Sequence, residues 1–444
     1  MTSANRPASA DPFARRRQSL MESLRDGAII LTAGHDSPRN NDVDYEFRQQ
    51  SSFWYLTGFD EPDAVAVLRP GSSHPYVLFV RPYDPKFEIW VGYRAGVDGA
   101  MKKHGADAAF PIDDLAEEMP KLLEELETVY YGLGSDSVLD DLLSDLVKKR
   151  RAGAQRSGKA LLGILDPKPS VDQMRLIKSD DEVAALREAI AVTAQGFDAA
   201  MRVSKPGIHE YQVQAEMEAA FRRQGSPRNG YPSIVASGGN ACTLHYVTNR
   251  AQMKDGDLLL IDAGAEVDYY TADITRTWPV NGKFTPEQRA VYDVVLEAQN
   301  KAFAVIAPEV RFEEVHLAAS RVLVQGLIDL GALEGDVDGL IEQKAHLPYY
   351  MHGTSHWLGL DVHDAGQYRV DDTSVALRPG MVFTVEPGLY FGPLATESPS
   401  ALTGIGIRIE DNVLVTPGGH QNLSAAIPSG VSEIEELVGT AAER

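Results

Sequence analysis

The segment LLLIDAGAEVDYYTADITRTW, running from Leu258 to Trp278, constrains the fold more than any other, because two aspartates lie inside what otherwise reads as a pair of apolar β-strands around a short polar turn. A two-residue hairpin tip at Val267-Asp268 places Asp262 directly opposite Asp273 on one face of the sheet, with Cβ atoms roughly 4.5–5.5 Å apart. Like charges at that separation repel. The run Leu258-Leu259-Leu260-Ile261 marks the strand as buried, where an unpaired carboxylate is costlier still. The pattern requires a positive group between the two aspartates.

A chain of 444 residues is long for one core and points to two domains, and 43% hydrophobic with 24% charged residues is the composition of a soluble globular protein. No apolar run approaches the roughly 20 residues of a membrane span, and the charges in MTSANRPASADPFARRR are not followed by an apolar segment of the secretory type. The expected compartment is the cytoplasm. Cys242 is the single cysteine, which excludes an internal disulfide framework and a thiolate metal cage and agrees with a reducing environment. A net charge of −22 argues against nucleic acid and anionic membrane as partners.

Residues 1–11 are rich in Ala, Ser and Pro and are expected to form a flexible tail. Over residues 12–175, apolar β-type runs at 28–31, 64–68, 76–80 and 129–131 are separated by helical stretches, including 115–126 and 138–149, which predicts a small α/β domain. The Pro-bearing LDPKPSVD places a boundary within 165–178, and Ser179 to Glu182 forms a capping box for a helix with Val183, Leu186, Ile190, Phe197 and Met201 on its apolar face. Over residues 176–444, helices at 211–222 and 286–305 and strands at 257–264, 269–278, 380–386 and 405–416 predict an α+β domain, with helices covering one face of an antiparallel sheet. One hairpin carries Asp262 and Asp273 and the later strands carry Glu386 and Glu410, an echo consistent with a pseudo-duplicated domain and a site between its halves.

In Gly404-Ile405-Gly406-Ile407-Arg408-Ile409-Glu410, period-two alternation puts the isoleucines on one face and Gly406, Arg408 and Glu410 on the other. In MVFTVEPGLY, Glu386 ends an apolar strand before the rigid Pro387-Gly388. Between these carboxylates lies MHGTSHWLGLDVHD, where His352, His356 and His363 crowd into twelve positions of a chain with 11 histidines. Each residue taken singly has an ordinary reading. Glu410 can pair with Arg408 at the surface, a histidine can be a satisfied core residue, and Cys242 with His245 lacks the oriented third partner that a thiol nucleophile requires. Together, four carboxylates and an imidazole form a hard donor set suited to Mn²⁺, Mg²⁺, Co²⁺ or Zn²⁺, and four negative charges balance two divalent cations. Such a pair, about 3.5–4 Å apart, serves metal-assisted hydrolysis.

The set IDAGAEVDYYTADITRTWPV, HGTSHWLGLDVHD, TVEPGLY and GIGIRIED, preceded by ASGGNACTLHYVTN, closely resembles the bacterial aminopeptidase P (Xaa-Pro aminopeptidase) group of the pita-bread metallopeptidases. The likeness runs from about Lys178 to Leu437 in the family's motif order, and a weaker one covers YEFRQQSSFWYLTGFDEPDA in the N-terminal domain. It implies a pseudo-twofold catalytic domain with Asp262, Asp273, His356, Glu386 and Glu410 as ligands of a dinuclear site, commonly of Mn²⁺, with Co²⁺ or Zn²⁺ as alternatives. Asp273 and Glu410 would bridge both ions, Asp262 would bind one, and His356 with Glu386 the other. A metal-bridging hydroxide would attack the carbonyl before proline, with Glu386 as proton-transfer group. His245 and His363 would hydrogen-bond the substrate and its tetrahedral oxyanion, and His352 would line the subsite on the proline side. Arg408 would orient carboxylate ligands, and Tyr390 would contribute to the substrate pocket.

The implied reaction releases the N-terminal residue from peptides whose second residue is proline, by a homodimer or homotetramer. Trp90 matches a position that reaches a neighbouring subunit's site in relatives and reads equally as a buried core aromatic. Prolidase shares the ligands but takes only Xaa-Pro dipeptides, and metal-free creatinase-type or purely binding relatives have lost ligands that are all present here.

Overall fold

The computed structural model describes residues 11–440, apart from residues 25, 158 and 159. The chain divides into two compact units, Met1–Asp172 and Gln173–Arg444. The tail expected over residues 1–11 lies outside the described residues up to residue 10. Asp11 itself is ordered: its carboxylate accepts the Phe13 N–H at 3.0 Å and caps the helix Pro12–Ser23.

The first unit is built on a six-stranded mixed sheet in the order Ala108–Pro111, Tyr76–Val80, Val65–Leu68, Ala28–Thr32, Thr128–Tyr130, Gly163–Leu165. The inner four strands fall on the apolar runs of the sequence. The two edge strands were not among the runs expected: residues 108–111 and 163–165 are short, lie partly exposed, and carry Pro111 and Gly163, residue types disfavoured in strands. Ile30, Val67 and Phe79 on one sheet face pack against Met119, Leu139 and Leu143 from the helices Leu115–Leu122 and Ser137–Ser157. Trp90 is 85% exposed and is therefore no core aromatic.

The second unit opens with the helix Asp180–Val203, whose capping box forms as read: Glu182 accepts the Ser179 N–H at 3.0 Å. Leu186, Ile190, Phe197 and Met201 are buried on its inner face, and Phe197 meets Trp278 edge to face. The helices Glu210–Arg223 and Pro286–Val305 follow the expected ranges. A further helix, Phe312–Asp329, was not anticipated, although Val315, Ala319, Leu323 and Leu327 recur at helical spacing and are buried.

The strand Leu258–Ala263 lies between Ile234–Ser237 and Ile274–Pro279 in an antiparallel sheet. Its register corrects the hairpin expected from sequence. Asp262 pairs with Thr275, and the tip is Asp268-Tyr269, both in the left-handed region (φ 47° and 68°) that a type I′ turn requires. The shift is two residues, so Asp273 stays on the face of Asp262 but becomes its diagonal neighbour.

Two strands expected to be continuous also break at their carboxylates. Residues 269–278 split into Tyr270–Thr271 and Ile274–Pro279, and residues 405–416 into Gly406–Arg408 and Asp411–Thr416. At the first break the side chain of Asn412 replaces the ladder: its Oδ1 accepts the Asp273 N–H at 3.1 Å and its Nδ2 donates to the Asp273 carbonyl at 2.5 Å. At the second, the Glu410 N–H donates to the Thr275 carbonyl at 3.0 Å. The first sheet thereby meets the second, formed by Val382–Val385, Asp411–Thr416 and Gly419–Asn422. Each half of the domain thus delivers two carboxylates to one junction.

Close approach of the chain at this junction depends on Gly264, where an added Cβ would lie 1.8 Å from the Ala272 carbonyl oxygen. Gly264→Ala is expected to lower stability by about 2–3 kcal/mol, the cost of forcing atoms into a packed core. An unchanged urea midpoint would show that these backbones have room to part.

Candidate active site

Asp262, Asp273, His356, Glu386, Glu410, Arg408, His245, His352 and His363 all line one cleft of about 580 Å³ within the second unit. Tyr231, Pro232, Ile234, Leu244 and Val247 supply much of the remaining wall. Asp273, His356 and Glu410 each offer an atom within 4.8 Å of the others, a group able to hold a metal ion. His356 Nε2 lies 3.2 Å from Asp273 and 3.4 Å from Glu386. The Nδ1 of the same ring faces the Trp357 carbonyl at 3.0 Å. A carbonyl only accepts, so Nδ1 carries a proton and Nε2 is the nitrogen that faces the carboxylates.

Arg408 organises the opposite side. Its Nη2 donates to Asp262 at 2.6 Å, its Nη1 to the Tyr390 hydroxyl at 2.9 Å, and its Nε to the Thr275 hydroxyl at 3.0 Å. Thr275 passes the constraint on by donating to Glu410 at 2.6 Å. The surface pair between Arg408 and Glu410 is therefore not formed; both are buried, and Arg408 turns to Asp262. Tyr390 also meets His352 Nε2 at 2.8 Å, while His352 Nδ1 donates to the Gly353 carbonyl at 2.8 Å. The ring of His363 stacks on His356 with centroids 4.1 Å apart. His245 and His363 are exposed at the cleft wall.

Two residues of this arrangement escaped the sequence reading. The Tyr231 hydroxyl stands 2.5 Å from both Asp262 and Asp273, and Thr275 links Arg408 to Glu410. Nothing in the NGYPS stretch flags Tyr231, which lies 31 residues from Asp262 in sequence. Thr275 carries a signal only once the register is known. Cys242, by contrast, is unsuited to nucleophilic attack: burial pushes its thiol up to about 11.

The electrostatics follow from crowding. Burial raises the Glu386 carboxyl to about 7, against the attraction of His356 and with the repulsion of Asp273. Burial and the charges of Asp273, Glu386 and Asp262 hold Glu410 well above the ordinary carboxylate range, and burial raises Asp262 despite Arg408. His356 is raised to about 9: burial opposes its charge, and the hydrogen bond to Asp273 together with the charges of Asp273 and Glu386 outweighs it. Burial, then the Arg408 charge, lowers His352 to about 3, so this ring is neutral.

Residues 184–417 match the model of metallopeptidase family M24, and residues 13–130 match that of the aminopeptidase P N-terminal domain. The Xaa-Pro aminopeptidase of Escherichia coli (strain K12) is 45% identical over 433 residues, covering 97% of this chain and 98% of its own. The solved aminopeptidase PepP of Pseudomonas aeruginosa superposes with a TM-score of 0.93 at 47% identity and 98% coverage of both chains. Aminopeptidase P from E. coli with the inhibitor Pro-Leu superposes with a TM-score of 0.91 at 45% identity, covering 96% of this chain and 97% of that one. The architecture is thus that of the pita-bread metallopeptidases behind an aminopeptidase P N-terminal domain. The chain belongs to metallopeptidase family M24, in its aminopeptidase P group.

The carboxyl and imidazole shifts set a pH dependence for the protein freed of metal by chelation. The folded chain holds a proton on Glu386 up to about 7 against an ordinary 4.5, and on His356 up to about 9 against 6.5. In both windows the folded state binds the proton that the unfolded state releases, so stability falls as pH rises. His352, lowered to about 3, acts with the opposite sign only below its ordinary 6.5, so the urea midpoint of chelated protein is expected to drop between about pH 6.5 and 9. A midpoint that is flat or rises over this range would contradict the crowding.

Proposed function

We propose that this chain is an Xaa-Pro aminopeptidase whose catalytic domain, residues 176–444 behind an N-terminal domain at 12–175, works with two divalent cations. The observation that carries the reading is the convergence of Asp262, Asp273, Glu386 and Glu410 with His356 on one cleft, where Nε2 of His356 faces Asp273 and Glu386. The residues fit such a pair: three of the four carboxyls are raised by burial, and the buried Arg408 guanidinium forms an ion pair with Asp262. A hard donor set of this kind favours Mn²⁺, with Co²⁺ or Zn²⁺ as alternatives. Asp262, Asp273, His356, Glu386 and Glu410 would hold the cations. When bound, the pair supplies an activated water as nucleophile and polarises the carbonyl before proline.

The protein's own groups do the rest. Glu386 lines the cleft where a carboxylate can take a proton from the attacking water and return it to the departing proline nitrogen. His245 and His363 stand on the cleft wall as donors to the substrate and to the oxyanion that develops at the carbonyl. The neutral His352, held between Gly353 and Tyr390, lines the proline side. Arg408 keeps Asp262, Glu410 and Tyr390 in place. Proline offers no amide N–H, so a site relying on cations and these donors succeeds where peptidases that need that hydrogen fail.

A cytoplasmic location accords with the single cysteine, and no helix among the described residues is long and apolar enough to cross a membrane. Assembly as a homodimer or homotetramer is supported by the exposed apolar cluster Tyr83, Phe87, Ile89, Trp90 and Val91 on the first unit.

Hydrolysis of Arg-Pro-Pro, followed as free arginine, is expected to stop on chelation and return with Mn²⁺. Cleavage confined to the dipeptide Gly-Pro would reassign the chain to prolidase activity, and no cleavage under any metal would leave a binding role. Glu386→Gln is expected to keep the fold and lose turnover by about 10²–10⁴-fold, the usual worth of a positioned acid or base. Near-normal turnover in correctly metallated Glu386→Gln would remove that residue from proton transfer.

A further inference from the structure

Gln299 is buried in the interior of the helix Pro286–Val305, at 2% exposure, and its amide is aimed at the two chain segments that bear Glu386 and Glu410. Its Nε2 lies 3.1 Å from the Val385 carbonyl, 3.2 Å from the Ile409 carbonyl and 2.9 Å from a carboxylate oxygen of Asp411. These are the residue before Glu386, the residue before Glu410 and the residue after it. One nitrogen with two hydrogens thus ties together the backbones that aim both glutamates. Neither Gln299 nor Asp411 lines the cleft.

The acceptors are themselves fixed. The other oxygen of Asp411 accepts from Arg276 Nη2 at 2.7 Å and from the Ser424 hydroxyl at 2.6 Å. Arg276 Nη1 donates to the carbonyl of Glu410 itself at 2.7 Å and to that of Thr275 at 2.9 Å. All of these side chains are buried. Burying a guanidinium and a carboxylate costs more than apolar packing would, so the set is a poor way to gain stability alone and a good way to fix a geometry. Glu386 and Glu410 lie opposite each other at a gap in one antiparallel register, with Val385 paired to Asp411 on one side and Gly388 to Arg408 on the other. The N–H groups of the two glutamates turn away to the Thr354 and Thr275 carbonyls, so the ladder is interrupted where Gln299 reaches in.

We propose that Gln299 is a positioning residue that sets the spacing and aim of Glu386 and Glu410 through the carbonyls of Val385 and Ile409, so that both carboxylates reach the same pair of cations. The proposal rests on the reading of this site as a metal centre. Ligand shells tolerate only about 0.5 Å of error, and the partners that orient ligands are worth about 10–100-fold in metal affinity.

The test is calorimetric titration of metal-depleted protein with Mn²⁺, alongside its thermal midpoint, for wild type, Gln299→Met and Ser204→Ala. Gln299→Met keeps the volume and removes the donor. Ser204 is a matched control: its buried hydroxyl donates to the Ala200 carbonyl and accepts from Trp278 Nε1, without facing the carboxylates. Gln299→Met is expected to bind Mn²⁺ about 10–100-fold more weakly, while Ser204→Ala loses thermal midpoint but binds as wild type does. With metal restored, kcat of Gln299→Met falls and KM stays close to wild type. If Gln299→Met and wild type bind Mn²⁺ equally, or if both variants weaken it alike, the proposal is overturned while the metal reading stands. A wild type that binds no Mn²⁺ overturns both. Should Gln299→Met fail to fold, Gln299→Asn, which keeps the amide but withdraws it by one methylene, carries the same expectations.

Discussion

Carboxylates gathered out of water are the constraint on which the rest of this structure depends. Asp262, Asp273 and Glu410 are buried and Glu386 is nearly so; burial first, and then repulsion between neighbouring carboxylates, raises Asp262, Glu386 and Glu410. A single guanidinium, Arg408, meets Asp262 directly and Glu410 through Thr275. Such an arrangement is unfavourable for a bare protein and suited to one that holds divalent cations, which is why the chemistry and the cost of the fold have the same origin.

The junction survives because backbone and side chains over-determine it. Asn412 stands in for the missing ladder at Asp273, the Glu410 N–H reaches across to Thr275, and Gln299 with Arg276 and Asp411 holds the carbonyls on the far side. Gly264 allows the close approach that this requires. The interruption of each strand at its carboxylate belongs to the same design: a regular ladder would aim alternate side chains to opposite faces, whereas a break lets the backbone turn one carboxylate toward a shared point.

Much of this was legible from residues alone, and the misses have physical causes. The helix Pro286–Val305, the Ser179 and Glu182 capping box and the inner strands carry local signals in periodicity and capping chemistry. The hairpin tip was placed one residue early, which shifts the pairing by two, because Val267-Asp268 and Asp268-Tyr269 are both short and polar enough to turn. The choice between them was made by pairing of the whole strand, which seats Asp262 against Thr275. The even shift kept the two aspartates on one face, so the inference drawn from them survived the wrong register. Tyr231, Thr275, Asn412 and Gln299 were invisible, since an uncharged polar residue acquires meaning only from the acceptor it meets, and each of these meets one far away in sequence.

By itself the sequence determined the carboxylates and histidines of the site, the alternation that puts Arg408 and Glu410 on one strand face, and the motif order that carries the family. These are properties of residue type and short spacing, which chain chemistry states directly. Only the tertiary structure decided the diagonal relation of Asp262 to Asp273, the division of Arg408 between Asp262 and Thr275, the orientation of the His356 ring and the clamp around Gln299. Those depend on which distant backbone groups are left without ladder partners once two sheets meet, a question of packing that no local pattern contains.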